Sequence, residues 1–254
     1  MQACEAIHNT EIVTPDDAGL SRGTWVLGTS SVLLPLTCPS SPYARFMGQP
    51  STLVIDIETV GQDPEQIPNR AREILLNVQT DEDRQKVLDC LGLDPCTGRI
   101  ICIGVHWLEL DRFRAYCQAD ERELLANFWS DIGQIRPQRF VTFNGKSFDF
   151  PYINIRSAIM GVPVPRDLLL DTRRFSTERH FDVREVLTNF ERYRKGTLEF
   201  FCEIFGVHSP KNGIDGSKVG DYFKQGRLDE IAHYCLADCR ATGELYQRLK
   251  NYYR

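Results

Sequence analysis

The pattern of apolar and polar positions along the chain predicts an α/β domain that ends in a long helix. Short apolar runs predict four strands, over residues 53–58, 100–106, 113–116 and 140–143. Helical spacing of apolar residues predicts one helix over 121–135 and a longer one over 228–249. The predicted elements follow in the order strand, strand, strand, helix, strand, helix and then mostly helices.

Two stretches depart from this pattern. Residues 1–50 mix Ser, Thr, Pro and short apolar stretches without sustained periodicity. We therefore expect an N-terminal extension, whose order the sequence leaves open, followed by one domain over 51–254. The polar excursion from Gly61 to Gly98 predicts one helix, which the capping signature Thr80-Asp81-Glu82-Asp83 would begin.

The composition is that of an ordinary soluble globular protein, with 42% hydrophobic and 26% charged residues. No apolar run approaches the ~20 residues that a transmembrane helix needs. The apolar segment 25–36 lacks the basic lead of a signal peptide. Nine cysteines without a Cys-x-x-Cys pair favour reduced thiols, so we expect a cytoplasmic protein.

Several polar or thiol residues are expected to be structural. Cys235 and Cys239 lie one turn apart on the apolar side of the final predicted helix, which favours core filling over metal binding. Asp182 and Glu185 form a capping signature for a helix predicted over 183–190.

Three acidic segments place side chains that could hold a divalent metal. Asp56 and Glu58 project from the same side of a buried strand, where unpaired charges are costly unless they are neutralised or metal-bound. Asp149 follows a predicted turn and begins a helix near the carboxyl end of a strand, where ligand sites of α/β sheets form. Tyr234 and Asp238 share one face of the final helix. Four carboxylates and a phenol suit phosphodiester hydrolysis with Mg²⁺ or Mn²⁺, which bind hard oxygen ligands.

The segments Asp56–Glu58, Asn144–Asp149 and Tyr234–Asp238 match, in order, the motifs Asp-x-Glu, Asn-x-x-x-Phe-Asp and Tyr-x-x-x-Asp. Because all three motifs are present in this order, residues 51–250 resemble the DEDDy-type 3′–5′ exonucleases of the DnaQ-like, ribonuclease H-like superfamily. The resemblance is greatest to the group related to the proofreading domains of family-B DNA polymerases. It implies a ribonuclease H-like α/β fold, with a central mixed five-stranded sheet flanked by helices.

The resemblance also implies two Mg²⁺ or Mn²⁺ ions in each active site, held by Asp56, Glu58, Asp149 and Asp238. One ion activates a water for attack on the last phosphodiester, and the other stabilises the leaving 3′ oxygen. By the same resemblance Asp56 bridges both ions, whereas Glu58 and Asp238 support the ion that activates the water. Asp149 would act largely through a second layer of contacts, and Tyr234 would orient the water.

The water-orienting residue has an alternative. Members of the family use either a Tyr four residues before the final Asp or a His five residues before it, and this chain has both Tyr234 and His233. In a helix, a residue four positions back lies about 40° from Asp238 around the axis, and one five positions back lies about 140° away. A final helix that begins before residue 233 therefore favours Tyr234. His233 could serve only if the chain were irregular there.

The second motif also supplies the residues expected at the substrate. By its position in the turn, Lys146 is expected to contact a phosphate, and Asn144 belongs to the same motif. Phe148 could stack on a terminal base, or it could be an ordinary core aromatic. The basic residues between 173 and 195 could line the path of a strand, or form a solvated surface. A net charge of −5 disfavours broad electrostatic binding to duplex nucleic acid.

These inferences predict a 3′–5′ exonuclease that acts on single-stranded 3′ ends, with DNA favoured over RNA because of the polymerase-like resemblance. Two alternatives stay open: an exoribonuclease that trims RNA 3′ ends, and a non-catalytic nucleic-acid-binding module on the same fold. No polymerase domain follows in the sequence, so a proofreading or DNA-repair role would require association with a polymerase in trans. No membrane partner is expected, and the oligomeric state is left open.

Overall fold

The computed structural model describes residues 11–12, 52–166, 168, 171–191, 195–209 and 216–253. Almost all of the N-terminal extension, over 1–10 and 13–50, lies outside the described residues, and so does the expectation about its order. Within the extension, Glu11–Ile12 forms a two-residue strand.

Six strands form one mixed sheet in the described part of the chain. They are β1 (Glu11–Ile12), β2 (Thr52–Gly61), β3 (Gly98–Trp107), β4 (Arg112–Cys117), β5 (Arg139–Thr142) and β6 (His180–Asp182). Their order across the sheet is β1–β4–β3–β2–β5–β6. β5 runs parallel to both β2 and β6, and the other neighbours are antiparallel. The mixed five-stranded sheet predicted for the domain is confirmed, and β1 extends it at the edge beside β4.

Eight α-helices accompany the sheet in the same described residues. They are α1 (Asn69–Leu75), α2 (Asp81–Asp89), α3 (Glu121–Ile135), α4 (Asp149–Met160), α5 (Val183–Leu187), α6 (Leu198–Phe205), α7 (Val219–Lys224) and α8 (Leu228–Leu249). Short 3₁₀ turns occupy Pro64–Gln66, Leu91–Leu93 and Gly216–Lys218. None of the helices described is long and apolar enough to cross a membrane.

Local sequence signals place several helix ends correctly. The Thr80 side chain accepts a hydrogen bond from the backbone N–H of Asp83, so the predicted cap of α2 is confirmed. α3 has the predicted bounds. α8 begins at Leu228, before His233, as its apolar spacing predicted.

Two helix predictions were wrong. The excursion from Gly61 to Gly98 holds two α-helices rather than one, because α1 has neither a side-chain cap nor a buried face to mark it in the sequence. The helix predicted over 183–190 ends at Leu187. Asn189 and Phe190 adopt left-handed backbone conformations, with φ of 54° and 60°, which a helix cannot continue through.

The sheet separates two groups of helices. α3 and α4 cover one face, where Ile55 and Ile57 of β2 are buried. α5 to α8 cover the other face, where Val54 is buried. Because side chains alternate along a strand, Asp56 and Glu58 share the face of Val54, beneath α8.

α8 approaches this face at a position that has no side chain. Gly104 of β3 pairs with Asp56 of β2. A Cβ atom at Gly104 would lie 2.8 Å from Sγ of Cys235 and 3.0 Å from Sγ of Cys239. Both cysteines belong to α8 and are fully buried. The absence of a side chain at Gly104 therefore sets how closely α8 can approach Asp56.

Replacing Gly104 with alanine should force α8 away from the sheet. We expect Gly104→Ala to lower the free energy of unfolding by about 1–3 kcal/mol, the range for overpacked cores. The measurement is urea unfolding followed by circular dichroism. The matched control is Gly220→Ala in α7, where an added Cβ meets no atom within 4 Å, so its stability should be equal or slightly higher. Wild-type stability in Gly104→Ala would contradict the close contact.

Candidate active site

The centre of β2 supplies two carboxylates. Asp56 is half-buried and Glu58 is only 8% exposed, on the strand face that α8 covers. The pairing register of β2 with β3 shifts between Glu58 and Thr59. Because such a bulge reorients the side chains beside it, Glu58 is held in a position that a regular strand would not give.

α8 brings a phenol and a third carboxylate to the same space. Tyr234 and Asp238 lie one turn apart, and the Tyr234 hydroxyl donates a hydrogen bond to the Asp238 carboxylate. His233 is exposed, and its Nδ1 lies 2.7 Å from the carbonyl oxygen of Asp229 on the same helix. The phenol, and not the imidazole, therefore faces the carboxylates.

A chain of hydrogen bonds fixes the turn between β5 and α4. The N–H of Gly145 donates to Oγ1 of Thr142 at 3.1 Å, and that hydroxyl donates to Nε2 of His180 at 2.7 Å. Nδ1 of His180 donates to the carbonyl oxygen of Asp171 at 2.8 Å, which sets the tautomer. Burial lowers the pKa of His180 to about 3, so the imidazole stays neutral within this series of hydrogen bonds. A Cβ at Gly145 would lie 2.5 Å from Thr142 Oγ1, so the turn requires glycine.

A buried carboxylate, Asp182, holds the same turn from β6. It accepts the backbone N–H groups of Asn144 and Lys146, each at 3.0 Å. It also caps α5 by accepting the N–H of Glu185 at 3.1 Å, as the sequence predicted. The two bonds to the turn join residues that are distant in the chain, so no local pattern indicates them.

The turn places Asp149 at the start of α4, where it is 4% exposed. Pairing between β2 and β5 ends at Val54. Farther along β2, the backbone N–H of Ile57 donates to the Asp149 carboxylate. This bond joins α4 to the strand that carries Asp56 and Glu58.

These elements bring four carboxylates near enough to interact electrostatically, although Asp149 and Asp238 lie outside the closest group of donor atoms. Asp56 and Glu58 each interact electrostatically with both Asp149 and Asp238. Among the described residues, one group of three donor atoms lies within 4.8 Å of one another, a carboxylate oxygen each of Asp56 and Glu58 and the sulfur of Cys235. The Cys235 thiol donates to Asp56, with its sulfur 3.5 Å from Oδ2, and is otherwise part of the core.

Burial raises the pKa of each of these carboxyl groups. For Asp56 and Glu58, burial is the largest cause and the neighbouring acidic groups add to it. Burial is also the main reason that the pKa of Asp149 is raised and that the pKa of Asp238 rises to about 7. Burial, followed by the nearby carboxylates, raises the pKa of Tyr234 above its ordinary value. The phenol therefore stays protonated.

The donor set fits a divalent cation. Oδ1 of Asp238 is buried without a hydrogen-bond partner among the residues described, which is costly for a carboxylate oxygen. Asp56 and Glu58 supply further oxygen ligands, and a cation would remove the repulsion among the three groups. Asp149 stands farther back, bound to the backbone of Ile57.

The expected phosphate contact of Lys146 does not fit the structure. Its side chain is 2% exposed, and Nζ donates to the carbonyl oxygen of Ser176 at 2.7 Å and to Glu185 at 2.8 Å. A buried ammonium needs such partners, so Lys146 links the turn to α5 and to the segment before β6. Asn144 is engaged as well, because its Oδ1 accepts a hydrogen bond from Arg184 at 3.2 Å.

Phe148 is still a candidate contact for a base. It is half-buried, packs against the core beneath α3 and α4, and immediately precedes Asp149. The ring of Tyr152 lies with its centroid 5.3 Å from that of Phe148. Tyr152 is buried and donates its hydroxyl to the carbonyl oxygen of Gly92 at 3.0 Å, so it is a core residue.

Comparison with known proteins gives one family. Residues 104–253 match a family described as predicted 3′–5′ exonucleases related to the exonuclease domain of PolB. The chain is 26% identical over 208 residues to a DNA polymerase of Pyrococcus glycovorans, a stretch covering 76% of this chain and 24% of the polymerase. It is 29% identical over 154 residues to a DNA polymerase of Desulfurococcus sp. (strain Tok), covering 56% of this chain and 20% of that one.

The fold is similar to that of a solved structure of the same kind. The family B DNA polymerase from the hyperthermophilic archaeon Pyrobaculum calidifontis matches with a TM-score of 0.56 and 21% identity, over 80% of this chain and 25% of the polymerase. The chain thus spans about a quarter or less of the length of these relatives.

Fold and site together define an α/β domain in which helices flank a mixed sheet, with an acidic centre suited to metal. The chain belongs to the family of 3′–5′ exonucleases related to the exonuclease domain of PolB. Exonuclease domains of this kind use divalent metals. The family match begins at Gly104, the residue that pairs with Asp56, so the first acidic segment lies outside the matched range but beside it in the sheet.

The raised pKa values predict that the metal-free protein loses stability as the pH rises. Carboxyl groups in an unfolded chain have pKa values of about 4, whereas the pKa of Asp238 in the folded protein is about 7. The folded state therefore binds more protons within this window, and stability falls as the pH rises through it. We expect the Tm in EDTA to fall between about pH 5 and about pH 8, and added Mg²⁺ or Mn²⁺ to reverse most of the loss at the higher pH.

Asp56→Asn is the matching variant for this experiment, since it removes one charge and keeps the shape. Its Tm in EDTA at about pH 8 should exceed that of the wild type, because clustered carboxylates repel one another without metal. The stabilisation by added metal should shrink. A wild-type Tm that rises with pH in EDTA would contradict the predicted direction.

Proposed function

We propose that the protein is a metal-dependent 3′–5′ exonuclease that removes nucleotides from single-stranded 3′ ends, with DNA favoured over RNA. The observation that carries the proposal is the convergence of three separate segments, on β2, at the start of α4 and on α8, at one acidic centre. The family supports the 3′–5′ polarity, and the polymerase relatives support DNA as the substrate. Association with a polymerase in trans stays a prediction.

In this proposal Asp56, Glu58, Asp149 and Asp238 hold two divalent cations, Mg²⁺ or Mn²⁺. Bound cations of this kind activate water and stabilise the leaving 3′ oxygen in phosphodiester hydrolysis. Asp56 interacts with each of the other three carboxylates, which supports a central position in the donor set. Asp149, through its bond to the N–H of Ile57, fixes β2 and α4 relative to each other while adding negative charge.

Tyr234 has the role of positioning the attacking water. Its raised pKa keeps the phenol neutral, so it does not act as a base. A hydroxyl that donates to Asp238 still has lone pairs that can accept a hydrogen bond from a water beside the carboxylate. Phe148, which immediately precedes Asp149 in the chain, is the proposed contact for the terminal base.

Removal of one carboxylate from the donor set should abolish hydrolysis. Asp56→Ala and Asp238→Ala should release no nucleotides from 5′-labelled single-stranded DNA or RNA, because each loses a ligand oxygen and unbalances the charge of the site. EDTA should have the same effect on the wild type, and Mn²⁺ should restore activity. Product ladders from the two labelled substrates give the polarity and the sugar preference together.

Asp229→Ala is the matched control, because this acidic residue lies on the same helix but is exposed. It should digest both substrates like the wild type. Undiminished activity in EDTA would rule out metal dependence. A wild-type protein that binds single strands but digests neither substrate would favour the non-catalytic module instead.

The Tyr234 and His233 variants separate the two candidates for positioning the water. Tyr234→Phe should lower kcat by about 10²-fold, because the attacking water loses the hydroxyl that positions it and a misplacement of about 1 Å has a cost of this size. His233→Ala should leave kcat near the wild-type value, because the imidazole is turned toward Asp229. Single-turnover rates at matched metal and pH provide the measurement. An inactive His233→Ala with a nearly normal Tyr234→Phe would assign the role to the imidazole.

A further inference from the structure

An aromatic surface lies outside the catalytic centre, in the segment that precedes β6. Phe175 is 68% exposed, and the guanidinium carbon of Arg174 lies 5.1 Å from the centroid of its ring. Single apolar side chains are common on protein surfaces, so exposure alone indicates nothing. The contacts and backbone of this residue distinguish it from an ordinary surface phenylalanine.

A second ring supports Phe175 from the protein side. Phe190 is half-buried against the core formed with α5, α6 and α8, and its ring centroid lies 5.2 Å from that of Phe175. Both residues have left-handed backbone conformations, with φ of 67° at Phe175 and 60° at Phe190. Such conformations are unfavourable for bulky residues and are concentrated at functional sites. We call this pair, Phe175 and Phe190, the aromatic platform.

The aromatic platform is connected directly to the turn that leads into α4. Ser176, next to Phe175, accepts a hydrogen bond from Nζ of Lys146 through its carbonyl oxygen at 2.7 Å. The backbone N–H of Phe190 donates to the carbonyl oxygen of Glu185 at 2.6 Å, and the Glu185 carboxylate binds the same Nζ at 2.8 Å. Lys146 therefore joins both halves of the platform to the turn that positions Asn144 and Asp149.

Exposed cationic side chains lie close to Phe175 in the chain. Arg173, Arg174 and Arg179 are exposed, together with Glu178, and Arg173 is paired with Asp171 at 2.9 Å. Arg174 places a cation at the ring itself. A locally positive aromatic surface matches a polyanion that carries flat apolar rings.

We propose that the aromatic platform is a base-stacking subsite for single-stranded nucleic acid. It would hold a nucleotide upstream of the 3′ end that enters the active site, and it therefore rests on the proposed function. Every base has an apolar face, so stacking on Phe175 tolerates any sequence, as removal of successive nucleotides requires. Arg174 lies over the ring of Phe175, where its planar guanidinium would extend the stacking surface and could meet a phosphate of the bound strand.

The test uses 2-aminopurine, a fluorescent base that responds to stacking, placed at successive positions from the 3′ end of a single-stranded DNA. The full chain is titrated in EDTA, so that binding is measured without hydrolysis. We expect a fluorescence change at a position set back from the 3′ end. Phe175→Leu, which keeps an apolar side chain without a ring, should lose that change and bind roughly 5–150-fold more weakly, the range for loss of one base–aromatic stack. Phe175→Tyr should retain both.

Phe200→Leu is the matched control, because Phe200 is 52% exposed on α6 but is not part of the platform. It should behave like the wild type. If Phe175→Leu did not fold, Arg174→Ala would carry the test, with weaker binding and a slope of log K against log salt that is smaller by about one.

The outcomes separate this inference from the proposed function. Wild-type binding and fluorescence in Phe175→Leu would overturn the subsite, even if the protein digests DNA, and the surface would then suit a protein partner. Loss of the signal in Phe175→Leu, at an unchanged Tm, supports the subsite. If the wild type also failed to digest DNA, the subsite would stand while the exonuclease proposal would fail.

Discussion

The contact of α8 with the strand pair β2–β3 is the constraint on which the rest of the structure depends. The bare backbone of Gly104 lets Cys235 pack against the sheet, and this approach brings Asp238 and Tyr234 over Asp56. The same approach buries the carboxylates and raises their pKa values. The site is therefore assembled by packing of an apolar helix face, against the repulsion of the groups that it gathers.

A repulsive site needs a rigid frame, and buried hydrogen bonds provide it. Thr142 and neutral His180 fix the turn from one side, and Asp182 accepts its backbone N–H groups from the other. Each group in these hydrogen-bond networks has a partner. The networks therefore hold the turn between β5 and α4 closed without adding unpaired charge. Asp149 follows directly from this turn at the start of α4, and the backbone of Ile57 adds a contact from β2.

The sequence predicted those features that depend on neighbouring residues. Strand alternation placed Asp56 and Glu58 on one face, and apolar spacing gave the bounds of α3 and the early start of α8. The errors concern contacts between distant segments. The partners of Lys146 lie 30 and 39 residues away, so its burial leaves no local mark. The aromatic platform was missed because a helix predicted through Phe190 would have carried that ring away from Phe175, whereas the helix ends at Leu187.

The burial of Lys146 changes how a substrate would be held. Because its Nζ is bound by Ser176 and Glu185, this cation cannot meet the scissile phosphate, and under the proposed function that charge has to come from bound metal. Under the proposed subsite, a phosphate farther along the nucleic-acid strand would meet Arg174, which lies over the ring of Phe175, without metal. The scissile phosphate and the phosphate at the aromatic platform would thus be neutralised at separate positions, the first by metal and the second by Arg174. Lys146 joins them mechanically, since it fixes the platform to the turn that carries Asp149, so a stacked strand would be held at a fixed distance from the acidic centre.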